Sequence, residues 1–171
     1  MLPKNLKEIV HVPNQEESSA WSKGKVQCTC GKDAFRLWIY ADRRPNEYPC
    51  VARYEGKAAL CIVAECTCGK EWLIFDYAQH GYEGFVCHSG ITPPREKLVQ
   101  WECPTCHEQL FSIDIQIQNG DFDQFMEEIV EDSDGEFTEE DFPEAFEWIQ
   151  INLACKDCPE TYEGWLNLET C

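Results

Sequence analysis

The chain has 171 residues, and its 14 Lys and Arg against 32 Asp and Glu give a formal charge of −18, which excludes a generic nucleic-acid binder. With 43% hydrophobic and 12% aromatic residues, the composition is that of an ordered globular protein with one core or two small ones. No stretch approaches the roughly 18 apolar residues of a membrane span. The N-terminal MLPKNLKEIVHVPNQ lacks a signal-peptide h-region, so the expected location is the reducing cytoplasm.

In chain order, residues 1–25 read as a polar N-terminal arm. Residues 26–88 read as a first β unit, 89–98 with Pro93 and Pro94 as a linker, and 99–171 as a second β unit. In the first unit, VQCTCGK leads into FRLWIYADRR, where Phe35, Leu37 and Ile39 alternate with Arg36, Trp38 and Tyr40. The unbroken apolar run at 59–64 predicts a central strand, and ECTCGK then leads into EWLIFDY. In the second unit VQWECPTCHEQ leads into FSIDIQIQ, where Phe111, Ile113, Ile115 and Ile117 form one face, and EWIQINLACKDC leads into YEGWLNLET. Each half reads knuckle, strand, connection, strand, knuckle, strand, the pattern of an internal duplication.

The second half carries an acidic insertion at about 119–147. Phe122, Phe125, Met126, Ile129 and Val130 stand there at helical spacing, and Thr138 with Asp141 forms the start of a second short helix limited by Pro143. The expected fold is therefore mainly β with a short helical acidic insertion, arranged as two tandem antiparallel units.

Eight of the 12 cysteines form four close pairs. In a reducing compartment such pairs are metal knuckles rather than disulfides. Site one is assigned to Cys28, Cys30, Cys66 and Cys68, and site two to Cys103, Cys106, Cys155 and Cys158. Zinc suits four thiolates because its filled d shell accepts a tetrahedron without electronic penalty, so two zinc ions per chain are expected. Iron or an iron–sulfur cluster is the alternative occupant. Disulfides or unliganded thiols are a further alternative.

These paired knuckles resemble the zinc-ribbon fold group, in which two knuckles at the ends of β-hairpins share one structural metal. The resemblance covers residues 26–77 and 99–169. CPTC has the usual knuckle form and CKDC its spacing, whereas the two CTCG pairs are one residue tighter. A closed four-sulfur site leaves no open position for water, so the resemblance implies structural rather than catalytic metal.

Of the remaining cysteines, Cys50, Cys61, Cys87 and Cys171, Cys61 reads as a buried small hydrophobe, and Cys50 and Cys87 as loop residues. Cys87 precedes His88, but neighbours in an extended chain point to opposite faces and make no dyad. His80 and His107 read as loop residues. EDSDGEFTEEDF resembles the second half of an EF-hand loop, with Asp132, Asp134, Gly135 and Asp141 in place. Val130 stands at the first ligand position, however, and the final Glu is missing.

The charge is one-sided: residues 1–97 sum to +1 and residues 98–171 to −19, with Lys156 the single basic residue of the second part. The acids Asp121, Asp123, Glu127, Glu128, Glu131, Asp132, Asp134, Glu136, Glu139 and Glu140 form the expected docking surface for a basic protein partner, as in an inhibitor or immunity-type protein that mimics nucleic-acid charge. The neighbouring Phe122, Phe125, Phe137, Phe142, Phe146 and Trp148 are its expected apolar anchors. Direct nucleic-acid binding is not expected. The alternatives are a solvated acidic loop, a thiol-redox or metal-dependent enzyme, and a structural subunit of a larger assembly.

Overall fold

Strict alternation makes the central strands. In a computed structural model that describes residues 1–12, 21–42 and 48–171, strand β3 (Phe35–Tyr40) buries Phe35, Leu37 and Ile39. Strand β9 (Phe111–Gln118) buries Phe111, Ile113, Ile115 and Ile117, and β10 (Trp148–Cys155) buries Ile149, Ile151, Leu153 and Cys155. These faces meet in one core with Trp165, Phe75 and Leu60. The expected strand over the apolar run forms as β6 (Cys61–Cys66), two residues later than the run begins. It is buried on both faces because Leu98, Trp38, Tyr40 and Leu73 cover its second side.

The remaining strands are β1 (Val10–His11), β2 (Trp21–Val26), β7 (Glu71–Asp76), β8 (Val99–Gln100) and β11 (Thr161–Glu169), with β4 (Ala52–Tyr54) and β5 (Lys57–Ala59) as a separate hairpin. Among the described residues all the pairings between these strands are antiparallel. β3, β6 and β7 form one consecutive ladder, and β9, β10 and β11 the other.

The registers of the two ladders correspond. Phe35 opposes Cys66 as Phe111 opposes Cys155, and Ala64 opposes Trp72 as Leu153 opposes Tyr162. Both outer pairings also break at one place, just after Ile62 and just after Ile151. The ladders meet where Phe35 pairs with Phe111, so the residues that face each other across the junction are themselves counterparts. That is the signature of a local two-fold relation, as in an isologous dimer interface.

The entry strands obey the same relation. β2 of the first half pairs with β9, Lys25 opposite Asp114, and β8 of the second half pairs with β3, Gln100 opposite Trp38. Each half lends its first strand to the other. The strands of the two expected tandem units join, among the described residues, in one nine-stranded sheet, because the strand preceding each first knuckle finds its open edge across the junction.

The expected polar arm also departs from the sequence reading, although its residues 13–20 lie outside the described residues. Helix α1 (Lys4–Lys7) and β1 plant Leu6 and Ile9, both fully buried, in the core. The apolar residues are few and set among charges, but Leu6 and Ile9 lie three apart and share a face. Asn5 donates to the carbonyls of Leu73 and Ile74 and fixes the segment on β7. Residues 89–98 likewise pack rather than hang: Ile91 N–H donates to Ala58, and the Arg95 guanidinium lies 4.4 Å over the Trp38 ring.

The acidic insertion folds as expected from its caps. Asp121 accepts from Gln124 N–H at the start of helix α2 (Phe122–Phe125), which continues as a wider π-helical turn over Met126–Val130. Thr138 and Asp141 form a reciprocal capping box, and the 3₁₀ segment Glu139–Glu144 ends one residue after Pro143.

Candidate metal centres

Each cysteine pair closes on the turn that follows a strand edge. Cys28 N–H donates to the Lys32 carbonyl and Cys66 N–H to that of Lys70, each at 2.8 Å. Within these turns Gly31 and Gly69 donate back to the first cysteine's carbonyl with φ of 86° and 90°. A Cβ at either glycine would meet nothing, so backbone conformation rather than space selects glycine there. The longer knuckle of site two closes from Cys103 N–H to Glu108, and His107 takes the left-handed position with φ 62°. His107 thus shapes the turn, and its backbone N–H bonds Cys103.

The four sulfurs of each assigned group come within 4.8 Å of one another. Among the described residues these are the only groups of three or more His, Cys, Asp or Glu side chains so gathered. The Cys28 and Cys68 sulfurs stand 3.7 Å apart, Cys30 and Cys66 3.6 Å, Cys103 and Cys158 3.7 Å, and Cys106 and Cys155 3.5 Å. A disulfide would need about 2.05 Å, so these are thiols grouped around a centre that could hold one metal ion. In every pair the first cysteine is buried and the second faces outward, fully exposed at Cys30 and Cys68 and half-buried at Cys106 and Cys158.

The electrostatics call for a cation. Burial resists ionisation of Cys28, but hydrogen bonds from the Cys30 N–H and thiol, the Trp72 indole and the Cys66 thiol outweigh it and pull the thiol down to about 6. Burial opposes Cys103 likewise, and the Tyr162 hydroxyl with the Cys106 and Thr105 N–H groups brings it to about 6. Burial and the neighbouring sulfurs push Cys66 up to about 12. At Cys106 the Glu108 N–H favours the thiolate, yet desolvation and the other three sulfurs raise it to about 12. Each group therefore accepts one negative charge readily, at Cys28 or Cys103, and resists a further one at Cys66 or Cys106, which a positive ion would offset.

The two centres are linked laterally. Cys66, Phe35, Phe111 and Cys155 form one row across β6, β3, β9 and β10. Three strand spacings of about 4.8 Å separate its ends by roughly 14 Å of sheet. Lys156 beside Cys155 reaches Asp33 of the first half at 2.9 Å.

The other cysteines stay outside both groups. Cys61 is buried in β6, and desolvation pushes its thiol up to about 12. Burial and Glu83 raise Cys87, the opposite of an activated nucleophile. His88 stacks on Phe137, with Nε2 3.5 Å from Glu136. Cys50 and Cys171 are exposed.

All ten acids expected to face a partner are exposed. Their expected aromatic anchors are not: Phe125, Phe137, Phe142 and Phe146 are buried, Phe125 and Phe142 in a small second core with Ala145, and Trp148 is half-buried with its indole on Asn167. Phe122 alone of the six is exposed. The helical spacing that suggested anchors instead seats the insertion against Phe85 and Val86. In the EF-hand-like segment Asp134 and Gly135 make the turn, at φ 52° and 87°, but Asp141 is already engaged by Thr138 and Lys4.

No helix among the described residues is long and apolar enough to cross a membrane. Comparison of the chain with protein-family models, curated proteins and solved structures gives no match.

Proposed function

We propose that the protein is a non-enzymatic interaction protein of the cytoplasm, held together by two structural zinc ions in zinc-ribbon-like centres and docking a basic protein partner through its acidic insertion. The observation that carries the metal reading is the sulfur geometry. Four sulfurs at the usual Zn–S distance of about 2.3 Å stand about 3.8 Å apart along the edges of a tetrahedron. The pairs at 3.5 to 3.7 Å lie near that edge. Four protein sulfurs close the coordination sphere, so the ion supplies cross-linking and charge compensation and activates no water.

The partner reading rests on charge. Ten exposed carboxylates on one insertion attract a cationic surface and repel phosphate backbones, which favours a basic protein over DNA or RNA. With the aromatics turned inward, recognition by this surface is electrostatic, the behaviour of an inhibitor or immunity-type protein that imitates nucleic-acid charge.

Native mass spectrometry of the full chain, with elemental analysis, should give two zinc ions per molecule; iron, or no metal at all, would overturn the metal reading. Material captured from lysate at low salt should dissociate as salt is raised. Charge reversal at Glu127, Glu128, Glu131 and Asp132 should abolish that capture while two zinc ions stay bound. Undiminished capture by the reversed variant would remove the acidic surface from the proposal.

A further inference from the structure

The two centres share one more feature, which lies outside the eight sulfurs. The Tyr162 hydroxyl stands 3.0 Å from Cys103 Sγ, with both residues buried. Tyr162 is placed there by register: it pairs with Leu153, two residues before the site-two ligand Cys155. In the first half the corresponding position belongs to Trp72, which pairs with Ala64, two residues before the site-one ligand Cys66.

The indole Nε1–H of Trp72 is buried and has no hydrogen-bond partner among the described residues. Trp72 packs against the core that holds Cys28, the counterpart of Cys103. Two chemically different donors thus stand at one position of two corresponding ladders, Tyr162 on Cys103 and Trp72 with no other partner for its N–H.

We propose that Tyr162 and Trp72 are paired positioning residues, each donating an X–H···S hydrogen bond to the buried first thiolate of its centre and slowing that ligand's departure from the metal. The proposal rests on the zinc reading above. Four thiolates around a divalent ion carry a net charge of −2, and a donor aimed at one sulfur spreads that charge without competing for the ion. No Lys or Arg takes this place at Cys28 or Cys103 among the described contacts: Lys70 is bonded to Thr29 and Lys156 to Asp33.

The test uses the full chain loaded with zinc, and in parallel with cobalt. Loss of an outer partner of a metal ligand typically weakens a site about 10- to 100-fold. In Tyr162→Phe, one of the two zinc ions should pass to a chromophoric chelator about tenfold faster or more, the other at its original rate. Trp72→Phe should affect the other ion instead. In the cobalt-loaded protein each variant should shift the sulfur-to-cobalt charge-transfer band to lower energy at about half the total intensity, because the sulfur loses a donor. Site-specific 3-fluorotyrosine at 162, a stronger donor of nearly unchanged size, should slow release from the same site and guards against misfolding of the truncated variants. Two bound metals with unchanged release and unchanged charge-transfer bands in all three variants would overturn the proposal while leaving the zinc reading intact. Failure of the wild-type chain to bind metal would overturn the zinc reading itself.

Discussion

Site one and site two are built on the same register, yet their turns differ. In site one a single residue separates the paired cysteines and the turn closes over five residues, Cys28 to Lys32 and Cys66 to Lys70; in site two two residues intervene and the turn closes over six, Cys103 to Glu108 and Cys155 to Glu160. The sheet-borne part does not change: Cys66 and Cys155 sit opposite Phe35 and Phe111, and the residue after each, Thr67 or Lys156, donates to the residue before the facing strand, Ala34 or Leu110. The comparison teaches that the strands fix the third cysteine of each centre and that the knuckle tolerates an added residue: Gly31, Gly69 and His107 return the chain in the left-handed region, whereas the Cys155 knuckle, with Pro159 at the place of His107, closes without one. The visible consequence is exposure, with Cys30 and Cys68 open and Cys106 and Cys158 half-covered.

The largest effect should come from removing a sheet-borne ligand. Cys66→Ser and Cys155→Ser each break one four-sulfur group, and a metal ion held by such a group would contribute folding free energy directly, so the loss in the metal-loaded protein should amount to several kcal/mol. Because β2 belongs to the edge of β9 and β8 to that of β3, damage to either centre should reach both halves. Calorimetry of either variant should then show one cooperative transition at a lowered midpoint. Two separated transitions would mean that the halves hold independently despite the exchanged strands.

That exchange is also where sequence reasoning stopped. The alternation at Phe35–Tyr40 and Phe111–Gln118 and the four cysteine pairs are local signals, and local signals determine strand, face and ligand. Which edge a short strand joins depends on partners far along the chain. Val99–Gln100 carries no pattern that names Ile39 and Trp38 as neighbours. The same limit hid Tyr162 and Trp72, since only the pairing of β11 with β10 and of β7 with β6 brings them to the sulfurs. The aromatics of the insertion were legible as an apolar face but not as to what covered it, and that turned out to be the chain's own Phe85 and Val86.

A second, intermediate effect separates the halves by pH. After β7 the first half buries Asp76, whose carboxylate accepts from Ala78 N–H, Gln79 Nε2 and Thr92 Oγ1, and His80, whose Nδ1 accepts from Asp76 N–H. By register the second half has Asn167 at Asp76's place, exposed and bonded to Trp148. Burial holds His80 down to about 4, against a partial opposing pull from Asp76. The folded state thus keeps this imidazole neutral while the unfolded chain takes up a proton below about pH 6.5. Stability should fall as pH drops from 6.5 toward 4, by up to about 3 kcal/mol at the lower end. His80→Asn, which keeps an acceptor near Nδ1 but cannot ionise, should lose that part of the slope. Denaturant titrations of both proteins across this range measure the difference directly, and identical slopes would show that His80 gains its proton on both sides of the transition alike.

The smallest effect should be at the one ion pair that ties the two knuckle turns together. Lys156 Nζ lies 2.9 Å from Asp33 Oδ2, and that bond holds the Asp33 carboxyl below its ordinary value. Lys156 is also the single basic residue after Lys97, which makes the contact look important. Solvent argues otherwise: the Asp33 side chain is 65% exposed, and exposed pairs are worth roughly 0 to 1 kcal/mol and fade with salt. Asp33→Asn should therefore lower stability by less than about 1 kcal/mol at low ionic strength and by nothing measurable at high salt. The row from Cys66 through Phe35 and Phe111 to Cys155 is buried and indifferent to salt, so it should keep the halves joined when the ion pair is gone. A larger, salt-independent loss in Asp33→Asn would shift that joining role from the packed phenylalanines to the turns.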